Sequence, residues 1–185
     1  MRNNFERFKL QDFIAVIAIA LLGFALNYFV TGTKTQAPYV IYLFILVLLT
    51  SFLGYLVRKV GIVTIFLLVL SLVTYNIDGI GLKGMGKVYS YVIIGLIFDF
   101  VLMISKGEGK NTVTNVLVSS IIAFTLYPLI TALLLSRESV MALISATLNL
   151  TLLSILISIA GSLVSYLVWK QFRATKTFLR FEFGS

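Results

Sequence analysis

The chain has 185 residues, 59 % of them hydrophobic, a formal charge of +8, and neither histidine nor cysteine. That composition excludes a soluble domain with one buried helix, histidine general bases, cysteine nucleophiles, thiolate zinc sites, disulfides and ordinary haem ligation. Seven scattered acidic residues do not suggest a carboxylate metal cage, and there is no glycine loop of the Walker type, so no metal, cofactor or catalytic residue is expected. The positive charge flanks apolar runs and forms no basic stripe on a soluble fold, so it reads as membrane-surface charge and not as a nucleic-acid footprint.

Six apolar runs follow in chain order: Phe13–Val30, Val40–Val57, Ile62–Tyr75, Tyr89–Ile104, Val113–Leu135 and Val140–Trp169. A helix needs about 20 apolar residues to cross a hydrocarbon core of ~30 Å. The third run is short and the sixth long, mismatches that tilt or flanking polar turns absorb. The expected fold is therefore all-α: a single integral membrane domain over residues 1–185, a six-helix bundle. The first run is too long for a signal peptide and no clear small-residue cleavage site follows, so it reads as a retained span. Residues 183–185 read in part as an appended tag remnant.

Placing both termini in the cytoplasm puts Arg2, Arg7, Lys9, Arg58, Lys59, Lys106, Lys110, Lys170, Arg173, Lys176 and Arg180 inside, and only Lys34, Lys83, Lys87 and Arg137 outside. With loops this short the positive-inside rule favours that orientation. Trp169 then takes an aromatic-belt position at the inner interface. The inner turns Arg58–Gly61 and Ser105–Thr112 are tight. The outer segment Asn76–Lys87 is longer and holds four glycines, so it is either a mobile lid or an ordinary connector.

Small residues on the first run fall in two rows, Ala15, Ala18, Ala25 and Ala20, Gly23, Asn27. Either row suits close approach by a helix of the same bundle or of a partner. On the fourth run Lys87, Tyr91, Gly95 and Asp99 recur every four residues and share a face. An ionised Asp at a helix centre costs about 2.5–3.5 kcal/mol on insertion scales. Asp99 is thus a substrate or coupling residue, or pairs with Lys106 or a neighbouring helix. The fifth run contains Tyr127-Pro128, and the proline frees the carbonyl of Phe124, giving a kink or a break that lines a cavity. On the sixth run Ser154, Ser158 and Ser162 form a packing row, while Asn149 needs an interhelical partner or a ligand.

The pattern resembles the substrate-binding S component of an energy-coupling factor (ECF) transporter. The resemblance runs through Lys9–Ala20, which is similar to the basic entry and alanine-bearing first helix. It continues through the turn Leu56–Gly61, then Gly84–Tyr89 with Ile94–Asp99 as lid loop and fourth helix, and Ala160–Lys170 as closing helix and basic tail. The first run departs from a strict Ala-xxx-Ala repeat, since Ile19 follows Ala15 and Leu22 follows Ala18. The resemblance implies a prokaryotic plasma-membrane subunit, not an enzyme, that captures a small water-soluble vitamin. It would work with a membrane T component and two ATPase subunits. The members it most resembles are those of the thiamine or thiamine-precursor type, or of related vitamins of unassigned identity. The resemblance also implies a ligand site in the outer half, with Tyr75, Asn76, Asp78, Tyr91, Tyr127 and Asn149 as its polar and aromatic candidates. Ala15, Ala18 and Ala25 would form the docking face. The competing expectation is a structural or assembly subunit of a larger membrane complex, which needs packing faces and no ligand cavity.

Overall fold

The computed structural model describes residues 8–32, 38–77, 83–106, 112–135 and 140–173. Their regular structure is entirely helical. The helices are α1 (Leu10–Gly32), α2 (Pro38–Val57), α3 (Ile62–Val73), α4 (Gly84–Lys106), α5 (Thr112–Thr125), α6 (Tyr127–Leu135) and α7 (Val140–Arg173). The stretches Leu10–Val30, Tyr39–Val57, Gly84–Ser105, Thr112–Leu134 and Thr147–Arg173 are each long and apolar enough to cross a membrane. The expected all-α multi-pass bundle is what the chain forms.

Two departures from the expected spans matter. First, α3 has only 12 residues, about 18 Å at 1.5 Å per residue, well short of a ~30 Å core. It stops at Thr74, whose N–H bonds to Leu70 O at 3.0 Å before the chain turns through Tyr75 and Ile77. Second, α4 begins at Gly84, so Gly84–Lys87 are helical and not part of an outer loop. Gly84 adopts φ +62°, a conformation suited to glycine, and its N–H bonds to Tyr75 O at 3.1 Å.

At the centre, α2 packs against α1, α3, α5 and α7, and α3 lies against α4. Tyr42, Leu43, Leu46, Val47, Leu49, Leu53 and Tyr55 of α2 are buried, at spacings that turn apolar surface toward several neighbours. Glycines set the closest approaches. A Cβ on Gly161 would meet Val47 Cγ1 at 2.9 Å, and one on Gly95 would meet the backbone Cα of Thr64 at 2.7 Å. These glycines let α7 approach α2 and α4 approach α3 at short range. The serine row of α7 points into the α2 seam. Ser154 Oγ lies 3.0 Å from Tyr39 Oη and Ser162 Oγ 3.2 Å from Tyr55 Oη, while Ser165 Oγ donates to Leu48 O. The expected packing role of that row is borne out.

Both ends of the described chain lie at one end of the bundle. Lys59 in the α2–α3 turn bridges Asp12 of α1 at 2.7 Å. Asp12 also accepts from the Lys9 N–H at 2.7 Å, reaching back over the first turn of its own helix. The guanidinium groups of Arg58 and Arg173 lie over the ring of Trp169 near the end of α7, at 5.1 and 5.0 Å from its centroid. This basic end gathers α1's start, the α2–α3 turn and α7's finish, as six passes require. The lysine-poor end carries the α3–α4 turn.

Candidate functional site

A short helix inside a bilayer has a problem at each terminus. Four N–H groups and four C=O groups lack intrahelical partners, and lipid supplies none. In α3 both ends are met by charges from α4. Asp99 Oδ2 accepts from the backbone N–H of Thr64 at 2.8 Å and from Thr64 Oγ1 at 2.5 Å. Thr64 is the third residue of α3, so Asp99 acts as an N-cap supplied by another helix. At the opposite end Lys87 Nζ donates to Thr74 O at 3.1 Å and Ile77 O at 3.2 Å. Because α3 and α4 are antiparallel, the acid sits at the positive end of α3's dipole and the base at its negative end. Asp99 lies twelve positions after Lys87, and α3 is 12 residues long, so one face of α4 spans it from cap to cap. Asp99 is 4 % exposed and Lys87 is fully buried. Of the readings open for Asp99, the neighbouring helix is its partner.

Lys87 also anchors an aromatic cluster at the lysine-poor end. Its ammonium lies 5.6 Å from the Tyr42 ring centroid and 5.7 Å from that of Tyr91, within cation–π range. The Tyr91 hydroxyl donates to Tyr42 Oη at 3.0 Å. The Tyr91 and Tyr127 rings are tilted at 59° with centroids 6.3 Å apart. Tyr42, Tyr91 and Tyr127 are all essentially inaccessible. Tyr127 Oη and Thr131 Oγ1, one turn apart on α6, are buried without a hydrogen-bond partner among the described residues. Each is a hydroxyl that its neighbour, a water or a polar ligand atom would satisfy after a small rotation.

Tyr127 owes its place to the break in the fifth span. The helix stops at Thr125, bends at Leu126 and restarts with Tyr127 and Pro128 in the first turn of α6, where a missing N–H is harmless. Ile130 N–H then bonds to Leu126 O at 3.0 Å. Of the kink and the break left open for this span, the chain takes a break, at Leu126 just before Pro128.

Of the six ligand candidates, the structure brings together Tyr91 and Tyr127. Tyr75 and Asn76 lie exposed on the turn after α3, and Tyr75 Oη covers Gly84 instead of facing the cluster. Asn149 is exposed on α7, so it belongs neither to an interhelical bond nor to the tyrosine cluster. Its helix turns Thr147 inward in its place. Asp78 lies outside the described residues. Tyr42 and Lys87 were not among the candidates. Lys87 precedes the apolar run that opens at Tyr89 and so reads from sequence as a loop charge, although its four-residue register with Asp99 is plain there.

The docking candidates also separate. Ala15 is buried in the bundle, whereas Ala18 and Ala25 are exposed beside Ile17, Leu21 and Leu22. The alternative row faces inward: Ala20 and Asn27 are buried, and a Cβ on Gly23 would touch Leu70 at 2.9 Å.

A concavity lies at the other end of the α3–α4 seam. It is a cleft of ≈ 630 Å³ with largely apolar walls, lined by residues that include Gly61, Thr64, Leu96, Asp99, Phe100 and Met103.

No known family profile matches the chain, and neither the curated proteins nor the solved structures compared with it give a match.

Proposed function

We propose that this protein is the membrane-embedded substrate-binding subunit of an ECF-type importer in a prokaryotic plasma membrane. It would take up a small, flat, water-soluble micronutrient with a T component and two ATPase subunits. The observation that carries the reading is the cluster of Lys87, Tyr42, Tyr91 and Tyr127 at the lysine-poor end, with the partnerless hydroxyls of Tyr127 and Thr131 beside it. The rings are packed against one another in this structure, so a heterocycle would stack on them only after the cluster opens, with a few fixed polar groups setting its orientation. The positive-inside rule turns that end outward.

Thiamine and its pyrimidine precursor remain the first substrate candidates on resemblance. The buried ammonium adds a group suited to a carboxylate, a phosphate or a ring acceptor, so acidic vitamins belong beside them. Calorimetry of the purified protein against such a panel is the test. Submicromolar to micromolar binding of one member, weakened by Tyr127→Phe, supports the reading. Absence of binding across the panel, with no ATPase subunits co-purifying, would favour an assembly subunit instead.

A further inference from the structure

The basic end of the bundle is built around one indole. Trp169 is the only tryptophan of the chain and is buried. Its ring, that of Tyr55 and that of Tyr166 form a triad with centroids 5.9–6.0 Å apart. Ser162 fixes the Tyr55 hydroxyl in turn, at 3.2 Å. Over this platform stand the guanidinium groups of Arg58 and Arg173, each about 5 Å from the indole centroid and so no more than about 10 Å from each other. Two like charges held that close favour an anion shared between them.

Arg58 keeps its place in an unusual conformation. Its φ of 54° lies in the left-handed region that favours glycine. It ends α2 there, with its N–H on Gly54 O at 3.2 Å. A glycine would end the helix at less strain, so capping alone does not account for an arginine. The side chain donates from Nε to Tyr55 O at 3.2 Å, which sets its charge over the indole. Arginine's planar fork of donors matches the oxygens of a phosphate.

The charge at this end is in surplus. Its eleven basic residues face at most five acids, Glu6, Asp12, Asp99, Glu108 and Glu182, so it stays positive however its ion pairs are drawn. Beneath the charge lies apolar surface. Leu163, Tyr166, Lys170 and Arg173 recur at three- and four-residue spacing along one flank of α7. Lys170 and Arg173 are exposed in its last turn, and Leu163 is exposed further into the span. Cations above an apolar flank suit a phospholipid better than a free ion.

We propose that Arg58 and Arg173 together bind the phosphate of an anionic phospholipid, with Lys170 adding charge and an acyl chain descending along Leu163 and Tyr166. Charge complementarity selects the occupant. A zwitterionic headgroup brings a cation of its own toward the two guanidinium groups and is disfavoured. The cytoplasmic leaflet supplies anionic lipids at the interfacial depth that tryptophan prefers. The site shares no residue with the tyrosine cluster, so it stands whether or not the protein is an importer.

The lone tryptophan makes the site report on itself. The full chain is reconstituted in phosphatidylcholine vesicles that contain a minor fraction of lipid brominated on its acyl chains, either phosphatidylglycerol or phosphatidylcholine. Bromine quenches indole fluorescence only at short range. The brominated phosphatidylglycerol is expected to quench Trp169 with an apparent affinity about fivefold or more above that of the brominated phosphatidylcholine. Arg58→Gln/Arg173→Gln should bring that ratio close to one, whereas the charge-matched Lys9→Gln/Lys83→Gln should keep it. Equal loss in the two variants would mean diffuse attraction by net charge and would overturn the proposal, as would a ratio near one in the unaltered protein. Inorganic phosphate, compared with chloride at equal ionic strength, should leave the preference unchanged. If phosphate abolishes it, the site takes the free anion and the lipid assignment falls. If the double arginine variant fails to fold, Arg173→Gln in the exposed last turn of α7 decides: an undiminished ratio in that folded variant overturns the proposal equally.

Discussion

At the residue scale, two buried charges hold the ends of one short helix. Asp99 meets the N–H of Thr64 and Lys87 meets the carbonyls of Thr74 and Ile77. Loss of an N-cap side chain costs about 0.5–2 kcal/mol, and with no water to replace it the upper end applies here. Asp99→Ala should therefore lower the Tm of the detergent-solubilised protein clearly more than Asp99→Asn does. Equal effects of the two would mean that the negative charge, not the cap, is what α3 requires. Gly95, one turn from Asp99, carries a different constraint. Its missing Cβ would lie 2.7 Å from the Thr64 backbone, and backbone cannot step aside as a side chain tip can. Gly95→Ala is expected to cost about 1–3 kcal/mol. Gly23→Ala, which meets the flexible end of Leu70 at 2.9 Å, should cost less. Thermal unfolding of the pair in one detergent checks the ranking.

At the element scale, the legible and the illegible features differ in range. The five span-length stretches follow from runs of apolar residues, because a membrane span needs little beyond length and hydropathy. The Pro128 break and the α7 serine row were equally readable, since each rests on local stereochemistry or on spacing along one helix. The α3 caps were not. The row of Lys87, Tyr91, Gly95 and Asp99 was plain, yet its meaning depends on which helix lies against it. The shortness of the third run was the available signal, for a helix too short to span must have its ends satisfied by protein. Inward and outward faces were similarly hidden, because α1 is apolar all round. Its two small-residue rows look alike in sequence, and only packing shows that Ala20 and Gly23 face the bundle while Ala18 faces out. Asn149 shows the reverse error, in which polarity suggested an inward position that the helix register does not provide. This yields a direct contrast. Ala18→Trp should leave the isolated protein folded and monodisperse on size exclusion, while Ala20→Trp should unfold or aggregate it. Loss of T-component and ATPase co-purification in the folded Ala18→Trp variant would add support for a partner on that face. Unfolding of Ala18→Trp would show that the exposed side is needed by the bundle itself.

At the scale of the whole molecule, the charge distribution and the packing converge on one orientation. Lys9, Lys59, Arg58, Lys170 and Arg173 all belong to the end where α1 starts and α7 finishes, and two guanidinium groups lie over the Trp169 ring there. Lys83 lies exposed at the opposite end, just before Gly84 N–H bonds back to Tyr75. Basic residues this close to helix ends resist translocation, so the basic end should remain cytoplasmic and the tyrosine cluster should lie toward the outside. The chain contains no cysteine, so a single introduced thiol reports its own side of the membrane. Lys83→Cys should react with a membrane-impermeant maleimide in intact cells, and Lys170→Cys only after permeabilisation. Both positions are exposed at helix ends, so a failure to label cannot be ascribed to burial in the bundle. The reverse pattern would place the tyrosine cluster on the cytoplasmic side. Capture of an external micronutrient there would be impossible, and the importer reading would fall even with the fold unchanged.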